Sequence, residues 1–188
     1  MAEHAPYGLL AELEKVKDEG LPPIYLWHPE TVKDIDIVIQ RDGSWLYMGS
    51  PITRRRLVRL FSTVLRKEGD DYFLVTPVVK NRITVEDAPF QAVLLKSSGS
   101  DESQCLTFTT DMAEQLVADE HHPFRFEIDE ETGEPSPYVM VRDGMEARLI
   151  RSVYYQLAEL VVEKVIEGEN WFGLWSAGRF FKIQQPPS

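Results

Sequence analysis

Residues 36–47 read DIVIQRDGSWLY, and this stretch decides how the fold is interpreted. Two apolar runs, at 37–39 and 45–47, flank the dipeptide Asp42-Gly43. Asp-Gly readily adopts the positive φ angles of a tight turn between antiparallel strands. The stretch therefore predicts a β-hairpin.

A helix is predicted to follow this hairpin. Ser50 or Thr53 can cap it, an apolar stripe runs from Leu57 to Leu65, and Gly69 ends it. Strands are then predicted at 72–75 and 82–85. Residues 36–86 are therefore predicted to form a β-β-α-β-β unit.

The same order of elements is predicted a second time, over residues 124–183. Strands at 124–128 and 138–141 precede a helix that begins with a capping box of Asp143 and Glu146. A terminal hairpin, at 171–175 and 179–183, follows that helix.

A short sequence match supports the repeat. Arg56-Leu57-Val58-Arg59 in the first predicted helix matches Arg148-Leu149-Ile150-Arg151 in the second. Because the order of elements agrees as well, we interpret the chain as a duplication.

The predicted fold class is α+β, with two similar β-β-α-β-β repeats packed about a cleft. A short amphipathic N-terminal helix and linker occupy residues 1–22, the first repeat with an additional linking hairpin (91–95 and 104–109) occupies 23–110, and the second repeat occupies 111–188. The apolar stripe of the N-terminal helix, at Leu9, Leu10 and Leu13, can dock on the body of the protein or on a partner.

Composition narrows the functional classes. The 188 residues carry a net charge of −11, 43% hydrophobic residues and a single cysteine, Cys105. An internal disulfide or an all-cysteine zinc site is therefore excluded. We expect no secretory signal, no membrane span and no nucleic-acid partner, and we place the protein in the cytoplasm. Its oligomeric state is left open.

The charge is divided unevenly along the chain. Residues 41–67 hold seven Arg and Lys against one Asp, whereas residues 111–137 hold nine acidic residues against Arg125. Both stretches can be ordinary solvated faces, or the arginines of one can pair with the acids of the other. The alternative is that the arginines bind an anion, since guanidinium suits phosphate and carboxylate. The ligand-binding residues predicted on this basis, with two tryptophans as a possible apolar wall of the cleft, are Arg54, Arg56, Arg148, Arg151, Trp45 and Trp175.

Candidates for catalysis and metal binding are few. Adjacent His121 and His122 point apart on any regular element, so we predict a loop there and no metal site. Glu86 and Asp87 can act as acid and base, but carboxylates after a strand more often tie down a turn. The chain has no phosphate-binding or dinucleotide-binding glycine motif and no nucleophile elbow, so no cofactor is predicted.

Several runs of sequence resemble a proteobacterial family, the domain of unknown function numbered 1285. The runs are RDGSWLYMGSPI at 41–52, LVRLFS at 57–62, YFLVTPV at 72–78, VEDAPF at 85–90, YVMVRDGMEA at 138–147 and LWSAGRFF at 174–181. The resemblance covers about residues 20–183. It implies two similar α+β units that meet at a cleft, and a suggested part in signal transduction, but it transfers no catalytic residues.

Three hypotheses for function follow. The first is a non-enzymatic sensing or adaptor module that binds a small anion, or an acidic segment of a partner, between the repeats. The second is a hydrolase or transferase that uses Glu86, Asp87 or His122. The third is a structural subunit, which an exposed apolar patch on the N-terminal helix would favour.

Overall fold

The computed structural model describes residues 6–14, 21–128 and 133–184. The chain divides into two compact units, Met1–Pro89 and Phe90–Ser188. The linking hairpin, which the sequence analysis assigned to the first repeat, therefore lies in the second unit. No helix of the described residues is long and apolar enough to span a membrane.

The first unit is built on a six-stranded sheet. Its strands are β1 (Thr31–Ile39), β2 (Trp45–Tyr47), β3 (Ser50–Pro51), β4 (Leu65–Glu68), β5 (Asp71–Val75) and β6 (Val79–Val85), in the order β3-β2-β1-β6-β5-β4. The hairpin predicted at 36–47 is confirmed, with Ile39 opposite Trp45. Helix α2 (Arg55–Thr63) buries Leu57 and Phe61, and the Phe61 ring stacks on Trp45.

The N-terminal helix, α1 (Tyr7–Glu14), belongs to the first unit. Leu9 and Leu13 are buried. Thr76 Oγ1 at the end of β5 donates a hydrogen bond to Glu12 Oε2 at 3.0 Å. The apolar stripe of this helix therefore docks on its own unit, and the exposed patch that the structural-subunit hypothesis requires is not found on Leu9 and Leu13.

The second unit contains another six-stranded sheet. Its strands are β7 (Phe90–Ser98), β8 (Cys105–Thr110), β9 (Gln115–Val117), β10 (Phe124–Ile128), β11 (Pro135–Arg142) and β12 (Met145–Leu149), in the order β10-β11-β12-β7-β8-β9. Helix α3 (Arg151–Ala158) buries Val153 and Leu157. A separate three-stranded sheet follows, formed by β13 (Val162–Ile166), β14 (Glu169–Ser176) and β15 (Arg179–Gln184).

The two six-stranded sheets share one topology. In each, the first strand pairs in parallel with the sixth: β1 with β6, and β7 with β12. From this central pair, both sheets continue outward through antiparallel neighbours. The repeat therefore relates residues 31–85 to residues 90–149, and not residues 36–86 to residues 124–183 as predicted.

Both predicted helices are shorter than expected, because strands occupy parts of their predicted length. Residues 65–68 form β4, in which Leu65 lies opposite Leu74. Residues 145–149 form β12, with Met145, Ala147 and Leu149 buried at the two-residue period of a strand. Residues 162–166 form β13. The strands and helix predicted for the first unit are present, but β3 and β4 are added on either side of α2, so the exact β-β-α-β-β pattern is not confirmed.

The predicted capping box at Asp143 is a hairpin turn. Asp143 and Gly144 have φ angles of 48° and 75°, values that suit the two-residue turn joining β11 to β12. The predicted hairpins at 124–141 and 171–183 are present as β10-β11 and β14-β15. The expected turn at 131–135 lies partly outside the described residues.

Candidate functional site

The candidate site is a largely apolar cavity of about 280 Å³ in the second unit, partly open to solvent, with Ala158 of its lining exposed. Three parts of the unit surround it: α3 together with Val161 just beyond its end, the strand pair β10-β11, and the three-stranded sheet. The lining residues are Phe126, Pro135, Tyr154, Leu157, Ala158, Val161, Phe172, Leu174 and Ile183.

The alternation of the strands places one apolar face of the six-stranded sheet toward this cavity. Phe124 lies opposite Val139, and Phe126 lies opposite Pro137. The Phe124 ring meets the rings of Phe108 and Phe181 edge to face, at centroid distances of 5.3 Å for both. Because Phe181 belongs to β15, these contacts join the two sheets of the second unit beside the cavity.

All nine lining residues are aromatic, aliphatic or proline. Phe126, Tyr154 and Phe172 supply three aromatic rings from three different elements, and six further residues are aliphatic or proline. None of the nine side chains is ionisable at neutral pH. A charged group that entered the cavity would lose part of its hydration, and the nine lining side chains offer no ion to pair with it, so the cavity suits neutral, apolar molecules.

The opposite face of the same sheet is polar. Arg125 Nε and Nη2 donate to the Glu146 carboxylate at 2.9 and 2.8 Å, and the Arg125 guanidinium lies over the Tyr138 ring. The ion pair with Glu146 raises the pKa of Arg125 above its ordinary value, with Glu127 contributing as well, although burial opposes this.

Further ion pairs involve the acidic stretch of residues 111–137. Arg142 pairs with Glu114, and Arg179 pairs with Glu120. Three of the nine acids of residues 111–137, Glu114, Glu120 and Glu127, are therefore paired with arginines of their own unit.

The arginines predicted to line a cleft between the repeats belong to different units, Arg54 and Arg56 to the first and Arg148 and Arg151 to the second. Arg54 precedes α2 and Arg56 lies in its first turn, and both side chains are exposed. Arg148, predicted to lie on a helix, projects from β12, with its Nη2 3.5 Å from Ser136 Oγ on the polar face. Arg151 is the first residue of α3, which packs on the apolar face. Arg148 and Arg151 therefore do not form one surface.

The two tryptophans proposed as an apolar wall have separate surroundings. Trp45 is buried in the core of the first unit. Trp175 lies on the three-stranded sheet, with Lys164 Nζ 4.0 Å from its ring centroid and the Phe180 ring at 5.3 Å. Neither lines the apolar cavity.

The residues considered for catalysis are bonded to the backbone or to a neighbouring charge. Glu86 Oε2 accepts a hydrogen bond from the Arg41 backbone N–H at 2.9 Å, and Asp87 lies 3.8 Å from Arg41 Nε. His122 Nδ1 donates to the Met140 carbonyl at 3.0 Å. These contacts fix turns and strand ends, the structural role that the sequence analysis considered more common.

The histidine pair lies in a loop, as predicted. Asp119 Oδ1 accepts hydrogen bonds from the backbone N–H groups of His121 and His122 at 2.8 and 2.9 Å. Burial acts to raise the pKa of Asp119, but these two hydrogen bonds outweigh it and lower the pKa. Within the described part of the chain, no group of three or more His, Cys, Asp or Glu residues could hold a metal ion.

Sequence reasoning missed the cavity. Tyr154, Leu157 and Val161 carry the helical apolar spacing, which predicts a buried stripe but does not show that space remains beside it. The strand residues Phe172 and Leu174 read equally well as core. No residue-level signal separates a filled core position from a cavity wall, because that difference depends on how three distant elements pack.

Comparison with known proteins agrees with this division of the chain. A family model described as "Domain of unknown function (DUF1285), N-terminal domain" matches residues 22–88, and one described as "Protein of unknown function (DUF1285), C-terminal domain" matches residues 89–183. The chain belongs to the DUF1285 family. The boundary between the two family models lies within one residue of the boundary between the two compact units.

Two solved DUF1285 structures are similar to this chain. A DUF1285 family protein from Silicibacter pomeroyi DSS-3 is 47% identical, covers 95% of both chains and has a TM-score of 0.85. A DUF1285 family protein from Shewanella baltica OS155 is 28% identical, with a TM-score of 0.51, and the match covers 65% of this chain and 90% of that one. No curated protein matches.

Proposed function

We propose that this DUF1285 protein is a non-enzymatic binding module that takes a small apolar ligand into the cavity of its second unit. The observation that carries the proposal is the cavity itself, about 280 Å³ of space lined by apolar side chains. Small-molecule sites in proteins are concave, mostly apolar and usually largely pre-formed. Apolar cavities of smaller volume bind hydrocarbon rings, so this one is large enough for a small ligand.

The chemistry of the lining supports binding rather than catalysis. Among the described residues that line the cavity, none is an acid, base or nucleophile ionised at neutral pH. The groups considered for acid–base chemistry in the sequence are engaged elsewhere, Glu86 with the Arg41 backbone and His122 with the Met140 carbonyl.

The test is a thermal-shift titration with toluene as the probe. We expect toluene to raise the unfolding midpoint of the wild-type protein, because a ligand that binds only the folded state stabilises it by mass action. Ala158→Phe places a ring at the cavity wall and should abolish the shift. Gln156→Leu, on the same helix but outside the lining, is the matched control and should keep it. A shift of equal size in all three proteins, or none in the wild type, would refute the proposal.

An anion-binding surface at the start of α2 is a second candidate. Arg55, Arg56 and Arg59 are exposed, and no ion pair joins them to another residue in the described ranges. Three adjacent arginines (54–56) at a helix start oppose the helix dipole, so helix stability does not explain them. This supports the sequence-based hypothesis of a small anion or an acidic segment as ligand.

Phosphate and a poly-glutamate peptide are the probes for this surface. Either should stabilise the wild-type protein at low salt, and Arg55→Ala with Arg59→Ala should remove the effect. Arg179→Ala, which removes an exposed arginine already paired with Glu120, is the control. Equal stabilisation of all variants would contradict the second candidate.

A further inference from the structure

We infer that the ligand of the second-unit cavity is a neutral aromatic ring that carries one hydrogen-bonding group, and that Tyr154 determines this specificity. The inference rests on the proposed function, because it names the ligand class for the same cavity. Three features of the nine lining residues support it: three aromatic rings, no charged side chain, and a single hydroxyl-bearing residue, Tyr154.

The aromatic rings of the lining favour a flat ligand. Phe126 from β10, Tyr154 from α3 and Phe172 from β14 bring three rings to the cavity from three directions. Aromatic rings attract one another in offset or edge-to-face geometry beyond the gain from buried area. A flat ring can use these contacts, whereas a flexible alkyl chain gains only from burial and loses rotational freedom on binding.

The surroundings of the cavity favour a ligand without charge. Arg125 pairs with Glu127 and Glu146 on the polar face of the sheet, and none of these three residues lines the cavity. None of the nine lining side chains offers a counter-ion. A carboxylate or ammonium in the cavity would remain unpaired in an apolar environment, which favours a neutral ligand.

A polar group of the ligand has one side-chain partner among the lining residues. Of the nine lining residues, Tyr154 alone carries a side-chain group that hydrogen bonds. The Tyr154 side chain is half-buried, and its ring rests 5.6 Å from the Tyr155 ring. A binding site of this kind uses a few polar groups to orient a ligand held by apolar contact. We therefore expect Tyr154, through its hydroxyl, to be the side chain that selects a ligand with a matching donor or acceptor.

The test compares p-cresol, p-xylene and 1-hexanol as probes by NMR titration of side-chain methyl groups. The methyl groups of Leu157, Val161, Leu174 and Ile183 report binding in the cavity, and those of Leu74 in the first unit are the reference. Dissociation constants are measured for the wild type and for Tyr154→Phe. Tyr155→Phe is the matched control, because it removes the neighbouring hydroxyl outside the lining.

We expect the preference for p-cresol over p-xylene to fall about two- to tenfold in Tyr154→Phe, which corresponds to the loss of one hydrogen bond. The affinity for p-xylene should not change, and Tyr155→Phe should behave like the wild type. In the wild type, p-cresol should bind several-fold more tightly than 1-hexanol, which is of similar polarity but has no ring.

The remaining outcomes separate this inference from the function on which it rests. An unchanged p-cresol to p-xylene ratio in Tyr154→Phe, or tighter binding of 1-hexanol than of p-cresol, overturns the ligand class while binding in the cavity stands. If no probe moves the four cavity residues' methyl signals, the proposed function fails and the inference fails with it.

Discussion

Arg148 and Arg151 are three residues apart in the sequence but belong to opposite sides of one β-sheet. Arg148 lies opposite Tyr138 on the polar face, near Ser136, whereas Arg151 begins α3, which packs on the apolar face. The chain crosses between the two faces at Leu149 and Ile150. Two side chains that a helical interpretation places on one surface are thus separated by the sheet itself.

This relationship predicts effects of opposite sign for two alanine variants. Arg151→Ala should raise the free energy of unfolding by about 0.3–1 kcal/mol, because it removes a positive charge from the first turn of a helix. Arg148→Ala should lower it by about 1 kcal/mol, through loss of the contact with Ser136 and of packing on the strand. Urea unfolding measures both. Equal effects of the same sign would contradict the placement of the two residues.

Gly173 is predicted to tolerate no side chain. A Cβ atom built there would lie 2.4 Å from the Phe181 carbonyl oxygen and 2.5 Å from Cζ of Phe180. Gly173→Ala should therefore cost about 3 kcal/mol of unfolding free energy, since β14 and β15 must move apart. Gly8→Ala on α1 meets nothing within 4 Å and should be neutral or stabilising by up to about 1 kcal/mol. Wild-type stability of Gly173→Ala in urea unfolding would rule out this packing.

Ser176 is predicted to hold the three-stranded sheet to β8. Its Oγ accepts a hydrogen bond from the Leu106 backbone N–H at 3.0 Å, and both residues are fully buried. Ser176→Ala leaves that N–H without a partner and should cost about 2 kcal/mol. Ser152→Ala, on the exposed side of α3, should change stability by less than about 0.5 kcal/mol. Hydrogen exchange of the Leu106 amide should accelerate in Ser176→Ala and stay unchanged in the control.

Glu68 is predicted to make the first unit sensitive to acid. A hydrogen bond from Lys80 is the main cause that lowers the pKa of Glu68 below its ordinary value of 4.5; the nearby Arg66 contributes, and burial opposes both. A lowered folded pKa means that the stabilisation is complete above pH 4.5 and is lost as the pH falls through the folded value.

The corresponding experiment follows unfolding free energy from pH 7 to pH 3. Glu68→Gln should be less stable than the wild type near pH 7, and the difference should shrink below pH 4.5 as Glu68 of the wild type becomes protonated. Glu163→Gln, at an exposed position of β13, is the control and should follow the wild type closely. A difference that stays constant down to pH 3 would show that the Glu68 charge does not stabilise the fold.

Local signals in the sequence predicted the hairpins well. Asp42-Gly43 between two apolar runs gave the β1-β2 hairpin, and the runs at 171–175 and 179–183 gave β14-β15. These predictions succeed because a tight turn and two flanking strands are encoded within about a dozen residues. The α+β class and the DUF1285 resemblance were also readable, since they depend on local patterns along the chain.

Local sequence patterns did not predict where the helices end or which residues form the repeat. The alternation of Met145, Ala147 and Leu149 is a strand signal, and the dipeptide Asp143-Gly144 is a turn signal. The apolar spacing around them, however, also fits a helix. Pairing with β11 and β7 decides for the strand. The true repeat, residues 31–85 with 90–149, emerges only from the parallel pairing of the first and sixth strands of each sheet.

The sequence by itself determined the turns, the apolar runs and the division of charge, because each depends on neighbouring residues. Only the tertiary structure decided which face of a sheet Arg148 occupies, which acids Arg125 and Arg142 neutralise, and that space remains beside Tyr154 and Phe172. The physical reason is that strand pairing and cavity volume are set by elements far apart in the chain, whose packing overrides local preference.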